Sequence, residues 1–129
     1  MTVQLRHVKE TKELIRRGVL SSLPSFPLLS DEYIRLEYNG CGPKGWEKYT
    51  PQAILGLHVC YACIIHDDEY RKGKTEGERN RADTRLKDNM LSLIEYNSKR
   101  GDSLRITIVY IVYVLLDLFG PILYYNKGS

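Results

Sequence analysis

Over most of this chain the apolar residues recur with helical spacing. Val3, Leu5, Val8, Leu14, Ile15 and Val19 alternate with basic residues between Thr2 and Leu20, the pattern of an amphipathic helix that stops at Gly18. Such a helix either covers one side of a core or lies on a membrane surface. Pro24 and Pro27 forbid its continuation, so Ser21 to Ser30 reads as an extended connector, and Asp31 reads as the cap of a short turn through Tyr33, Ile34 and Leu36. Tyr38 to Trp46 holds three glycines and Pro43, which predicts a tight loop of unusual dihedrals. Thr50-Pro51 has the form of an N-cap and a first helical residue. A core helix is therefore predicted from there to about Arg71, with Leu55, Leu57, Val59, Ala62, Ile64 and Ile65 as its apolar surface. Gly73, Thr75 and Gly77 interrupt the pattern, and a second helix is predicted from near Glu78 to about Asn97 on the stripe Ala82, Leu86, Met90, Leu93 and Ile94.

The last segment, Leu104 to Tyr125, is apolar almost throughout and rich in β-branched residues, a pattern shared by a buried strand and a buried helix. Its length approaches a membrane span. Asp117 near its centre and the Gly120-Pro121 break favour instead a helix packed on the other two. The expected fold class is thus all-α, one domain over residues 1–129, with a core unit at about 38–97 between an N-terminal helix and connector (1–37) and an apolar C-terminal helix (104–125).

Composition adds limits rather than identity. A hydrophobic content of 43% with 27% charged residues is ordinary for a folded domain of 129 residues. A net charge of +3 falls short of the basic stripe of a dedicated nucleic-acid binder, so no nucleic-acid partner is expected, and no obligate protein partner is inferred. Three cysteines allow at most one internal bridge. Met1 to Lys12 carries Arg6, Lys9 and Lys12 with no apolar run behind them, so no secretory signal is read there.

The chemistry gathers in Cys60 to Tyr70. On a helix, Cys63, His66, Asp67 and Tyr70 follow i, i+3, i+4 and i+7 and share one face. On the next helix Asp83 falls in register with Leu86, Met90 and Leu93, so it faces inward, where an unpaired carboxylate costs several kcal/mol and demands a partner. His66 lies about six residues before the break and Asp83 about six after the restart, roughly 9 Å along each axis at 1.5 Å per residue. In an antiparallel hairpin the two meet at one level. A histidine held by a buried aspartate has one tautomer fixed and its other nitrogen left to act as a general base; the same pairing also occurs as a satisfied polar contact in a core.

Asn39-Gly40-Cys41-Gly42-Pro43-Lys44-Gly45, His66-Asp67-x-x-Tyr70 and Ala82-Asp83, in this order and spacing, resemble the calcium loop, the catalytic helix and the partner-helix aspartate of the phospholipase A2 superfamily, in its compact bacterial and viral form. The likeness covers Tyr38 to about Met90. It implies a phospholipase A2-like fold, with two antiparallel helices carrying the site, and calcium-dependent hydrolysis of the sn-2 ester of glycerophospholipids at a phospholipid membrane surface. By the same resemblance His66 is the general base, Asp83 orients it and Tyr70 supports Asp83. Asp67 and the carbonyls of Gly40, Gly42 and Lys44 ligate Ca²⁺, a hard cation suited to such oxygens, and the Gly42 N–H stabilises the oxyanion. The family's bridge falls on Cys41 and Cys63, leaving Cys60 free. Pro43 and Lys44 depart from the smaller residues of the larger enzymes, whose many-disulfide framework and β-hairpin have no counterpart here. Action in this family implies a secreted or particle-associated protein, including a domain of a larger or viral protein.

Two rival readings stand beside it. Cys60-x-x-Cys63-x-x-His66 with Cys41 is the donor set of a structural Cys₃His zinc site, although ligands at i, i+3 and i+6 fan around a straight helix. The second rival is a non-catalytic membrane-binding or particle component that keeps the fold.

Overall fold

A computed structural model describes residues 3–38, 53–54, 57–97 and 103–125. The architecture is mostly helical, as the pattern predicts. Helix α1 (Leu5–Arg16) buries Val8, Thr11 and Leu14 on one side. It closes in a Schellman arrangement, with Gly18 N–H donating to Ile15 O at 3.0 Å and Val19 N–H to Leu14 O at 2.9 Å. Gly18 takes φ +79°, the left-handed conformation that this closure needs.

The connector is not simply extended. A 3₁₀ turn over Phe26–Leu28 drives Phe26 fully into the core, anchoring the segment despite its prolines. Its start is held by Asn89, whose side chain accepts from Ser21 N–H and donates to Ser21 O, both at 2.9 Å, as a strand neighbour would. The following turn is a helix, α2 (Asp31–Glu37), and its cap is Ser30 rather than Asp31. Ser30 has extended dihedrals and its Oγ accepts from Tyr33 N–H at 3.1 Å, whereas Asp31 already lies in the first turn. Asp31 instead pairs with Lys12 of α1 at 2.6 Å.

The helix predicted from Thr50-Pro51 is corrected over 53–54 and 57–58; Thr50 and Pro51 themselves lie outside the described residues. Residues 53–54 and 57–58 form a short antiparallel ladder, β1 (Ala53–Ile54) with β2 (Leu57–His58), in the register Ala53 to His58 and Ile54 to Leu57. The spacing of Leu55, Leu57 and Val59 is two, a strand period, which a helical reading of the apolar content overlooked. The chemistry-bearing helix, α3 (Cys60–Lys72), begins only after Val59 and is buried over most of its circumference.

A hairpin turn at Gly73 to Thr75 leads into α4 (Glu76–Asn97). This helix starts earlier than predicted because Thr75 and Glu78 form a capping box: Glu78 N–H donates to Thr75 Oγ1 at 3.1 Å and Thr75 N–H to Glu78 Oε1 at 3.2 Å. Gly77 therefore sits inside the first turn and not in the break, its propensity cost of about 1 kcal/mol offset by the box. Ala82, Leu86, Met90, Leu93 and Ile94 are all buried, as predicted, and Arg79, Asp83 and Asn89 are buried with them.

The C-terminal segment is a helix, α5 (Ser103–Tyr125), and Gly120-Pro121 does not break it. It packs on the core through Val109, with Ile106, Ile108 and Leu116 half-buried. Among the described residues no helix is long and apolar enough to cross a membrane. The outer side of α5 carries Leu104, Tyr110, Ile111, Val114, Leu115, Leu118 and Phe119 in solvent, Leu118 and Phe119 at 65% and 57% exposure. Tyr110 is exposed and has the Lys87 ammonium 5.9 Å from its ring centre.

Candidate active site

The α3–α4 hairpin sets His66 and Asp83 opposite each other, as their distances from the turn predict. His66 Nε2 lies 2.8 Å from Asp83 Oδ1, with side-chain exposures of 13% and 4%. A carboxylate only accepts, so in the neutral ring Nε2 carries the proton and Nδ1 keeps the lone pair. Tyr70, one turn after His66, donates its hydroxyl to the same Oδ1 at 2.7 Å, and its ring lies 4.1 Å from the imidazole. Burial, reinforced by the Asp83 hydrogen bond, raises the Tyr70 pKa well above the usual phenol value, so the hydroxyl stays a donor.

Arg79 completes the carboxylate and was not anticipated from the sequence. Its Nη1 donates to Asp83 Oδ2 at 3.0 Å, and both side chains are almost fully buried. The guanidinium also binds Glu76 Oε1 at 2.5 Å, lies 3.9 Å from Asp117 and reaches the Leu116 carbonyl of α5 at 3.5 Å. The Glu76 hydrogen bond is the main cause holding its pKa above the usual guanidinium value, against the opposing effect of burial. Asp83 thereby accepts from three donors, which is what keeps a buried carboxylate tolerable. The available signal was the i, i+4 spacing from Arg79 to Asp83 on one helix face.

The acidic run after His66 divides by direction. Asp67 is half-buried and its Oδ2 lies 4.0 Å from Arg71 Nε. Asp68 is fully buried, accepts from the Tyr38 hydroxyl at 2.5 Å and pairs with Lys72 at 2.9 Å. Glu69 turns to α4 and pairs with Arg85; burial raises its pKa above the usual carboxylate value despite that cation. Burial, with the Asp68 bond behind it, likewise raises the Tyr38 pKa. The Tyr38–Asp68–Lys72 group escaped sequence reasoning because Tyr38 is 30 positions away from Asp68. It ties the residue just before the glycine-rich segment to the position just after Asp67.

Cys63, one turn before His66, is buried, and Cys60 is a free, buried thiol. Cys41, Gly40, Gly42 and Lys44 lie outside the described residues, as does the predicted loop from Asn39 to Trp46. His66, Asp67, Tyr70 and Asp83 are brought to one hairpin. Comparisons with protein families, with curated proteins and with solved structures find no match for this chain.

Proposed function

We propose that the chain is a calcium-dependent phospholipase A2, hydrolysing the sn-2 ester of glycerophospholipids to a fatty acid and a lysophospholipid. The observation that carries this reading is the 2.8 Å contact of His66 Nε2 with a buried Asp83 whose other acceptor positions are filled by Tyr70 and Arg79. A carboxylate so held cannot swing away, which fixes the imidazole plane and leaves Nδ1 to take a proton from water as the water attacks the ester carbonyl. The positive charge that then develops on the ring is stabilised by Asp83, and the same proton is passed on to the leaving lysophospholipid oxygen.

Asp67 with the carbonyls of Gly40, Gly42 and Lys44 would hold the ion. Hard carboxylate and carbonyl oxygens are the donors that calcium takes, and the Tyr38–Asp68 bond supports this reading by tethering the residue just before the glycine-rich segment to α3. Bound Ca²⁺ supplies Lewis-acid polarisation of the ester carbonyl. The Gly42 N–H would donate to the oxyanion, and a Cys41–Cys63 bridge would pin the segment one turn before His66. The expected fold is the antiparallel two-helix core of the phospholipase A2 superfamily, acting at a phospholipid surface as a secreted or particle-associated protein. The exposed apolar side of α5 supports such a setting, since a contiguous face of this kind is unusual on a protein that meets only water.

The test is fatty-acid release from mixed phospholipid vesicles with calcium and with chelator, for the parent and for His66→Gln. Expected is release that falls to background with chelator and drops about 100- to 10,000-fold in the variant, the contribution of a positioned general base. Release unaffected by both changes, or none from the folded parent on any lipid, overturns the reading.

A further inference from the structure

Two of the three histidines of the chain take no part in the site above, and the fold brings both to its free thiol. His7 comes from α1, His58 from β2 and Cys60 from the first turn of α3. One ligand atom from each, an imidazole nitrogen or Sγ, lies within 4.8 Å of the others. We propose that His7, His58 and Cys60 form a site for a borderline-soft transition-metal ion of the zinc class, distinct from the hydrolytic centre.

Three observations carry this. Donor chemistry comes first: two imidazoles and a thiolate select Zn²⁺ over Ca²⁺ or Mg²⁺, which demand oxygen. Geometry is second. Tetrahedral zinc with bonds of about 2.0–2.3 Å needs its ligand atoms about 3.3–3.8 Å apart, so a contraction of about 1 Å through side-chain rotation closes the set. His58 is exposed and has room for it, while Cys60 is fixed by burial. Third, the imidazoles meet other rings rather than hydrogen-bonding side chains: His7 stands edge-on to Tyr61, with centroids 5.7 Å apart. The His7 and His58 rings are tilted at 39° with centroids 5.9 Å apart, and among the described residues no side-chain hydrogen bond occupies either imidazole. Cys60 opens α3, where burial pushes its thiol up to about 11 against the opposing backbone N–H groups of the first turn, so a bound ion has to displace the proton.

Binding exchanges the Cys60 thiol proton for the ion and releases that proton to solvent, with water in the fourth position. The ion would tie together three segments, α1, β2 and the start of α3, that the hairpin alone does not hold. His66 lies six residues further along α3, roughly 9 Å down the axis, beyond the reach of the same ion.

The test uses the full chain and the metals alone. Zn²⁺ is titrated against a chromophoric chelator, and Co²⁺ is substituted to read the thiolate-to-metal charge-transfer absorption, in the parent, Cys60→Ser, His58→Ala and His66→Gln. Expected is one equivalent of Zn²⁺ in the parent and in His66→Gln, an affinity at least tenfold lower in Cys60→Ser and in His58→Ala, and a charge-transfer band that Cys60→Ser alone abolishes. Zinc uptake lost in His66→Gln but kept in Cys60→Ser and His58→Ala would put the ion at the hydrolytic centre and overturn the proposal. So would a cobalt complex without the thiolate band. His58 is exposed, so its variant keeps the test decisive even where the buried serine impairs folding.

Discussion

Asp83 is the residue on which the others depend. Its two oxygens receive an imidazole, a phenol and a guanidinium, and removing any one leaves a buried carboxylate with one donor fewer. Arg79→Met leaves Oδ2 unpaired, and we expect a loss of about 3 kcal/mol in unfolding free energy by denaturant titration, at the low end for a broken buried pair because His66 and Tyr70 remain. A loss below 1 kcal/mol would mean that water replaces the guanidinium. Glu69 gives the opposite case. Burial raises its pKa in the folded chain above its unfolded value, so the folded state holds its proton more tightly and stability falls as pH rises through that interval. Glu69→Gln removes this dependence. The difference in denaturation midpoint between variant and parent should therefore shift in favour of the variant between pH 4 and pH 7, and a shift toward the parent would show that the Arg85 pair outweighs burial.

At the scale of elements, closures decide where helices begin and end. Gly18 closes α1 with φ +79°, and a Cβ there would meet no atom within 4 Å, so the whole cost of Gly18→Ala is conformational. We expect about 1 kcal/mol, measured by thermal or denaturant unfolding. This end was legible because a lone glycine follows the last apolar-periodic residues. The stripe of α4 was legible too, and with it the meeting of His66 and Asp83, since residues equidistant from a hairpin turn share a level. The start of α3 was not: the apolar run into Cys60 satisfies a hydrophobicity criterion for helix, yet Leu57 lies in β2 and Val59 caps α3. Ser30 and Asp31 are both good caps, and only the dihedrals distinguish them. Arg79 was missed because a basic residue early in a helix is ordinarily solvated, and burying it depends on α5 arriving from far along the chain.

For the whole molecule, the unusual feature is how little of α5 the core covers over residues 103–119. The helix is held along Val109 and its half-buried neighbours while its outer side stays apolar. If that side meets lipid, Leu118→Glu with Phe119→Glu should reduce the vesicle partition constant about 100-fold or more, two buried side chains at about 1.5 kcal/mol or more each, and leave hydrolysis of a short-chain monomeric phospholipid unchanged. Equal losses on both substrates would place the effect in folding instead.

The hairpin that carries the chemistry is short in sequence: His66 and Asp83 are 17 positions apart, and Tyr70 and Arg79 lie between them. Closing so small a loop forfeits little chain entropy, and such local contacts form early when a chain folds. The His66–Asp83 pair is therefore assembled by a stretch that needs neither end of the protein to find it. Changes in α1 or α5 act on how the pair is sheltered, α5 through the contact of Arg79 with the Leu116 carbonyl, while imidazole and carboxylate are aligned inside a single turn-linked pair of helices.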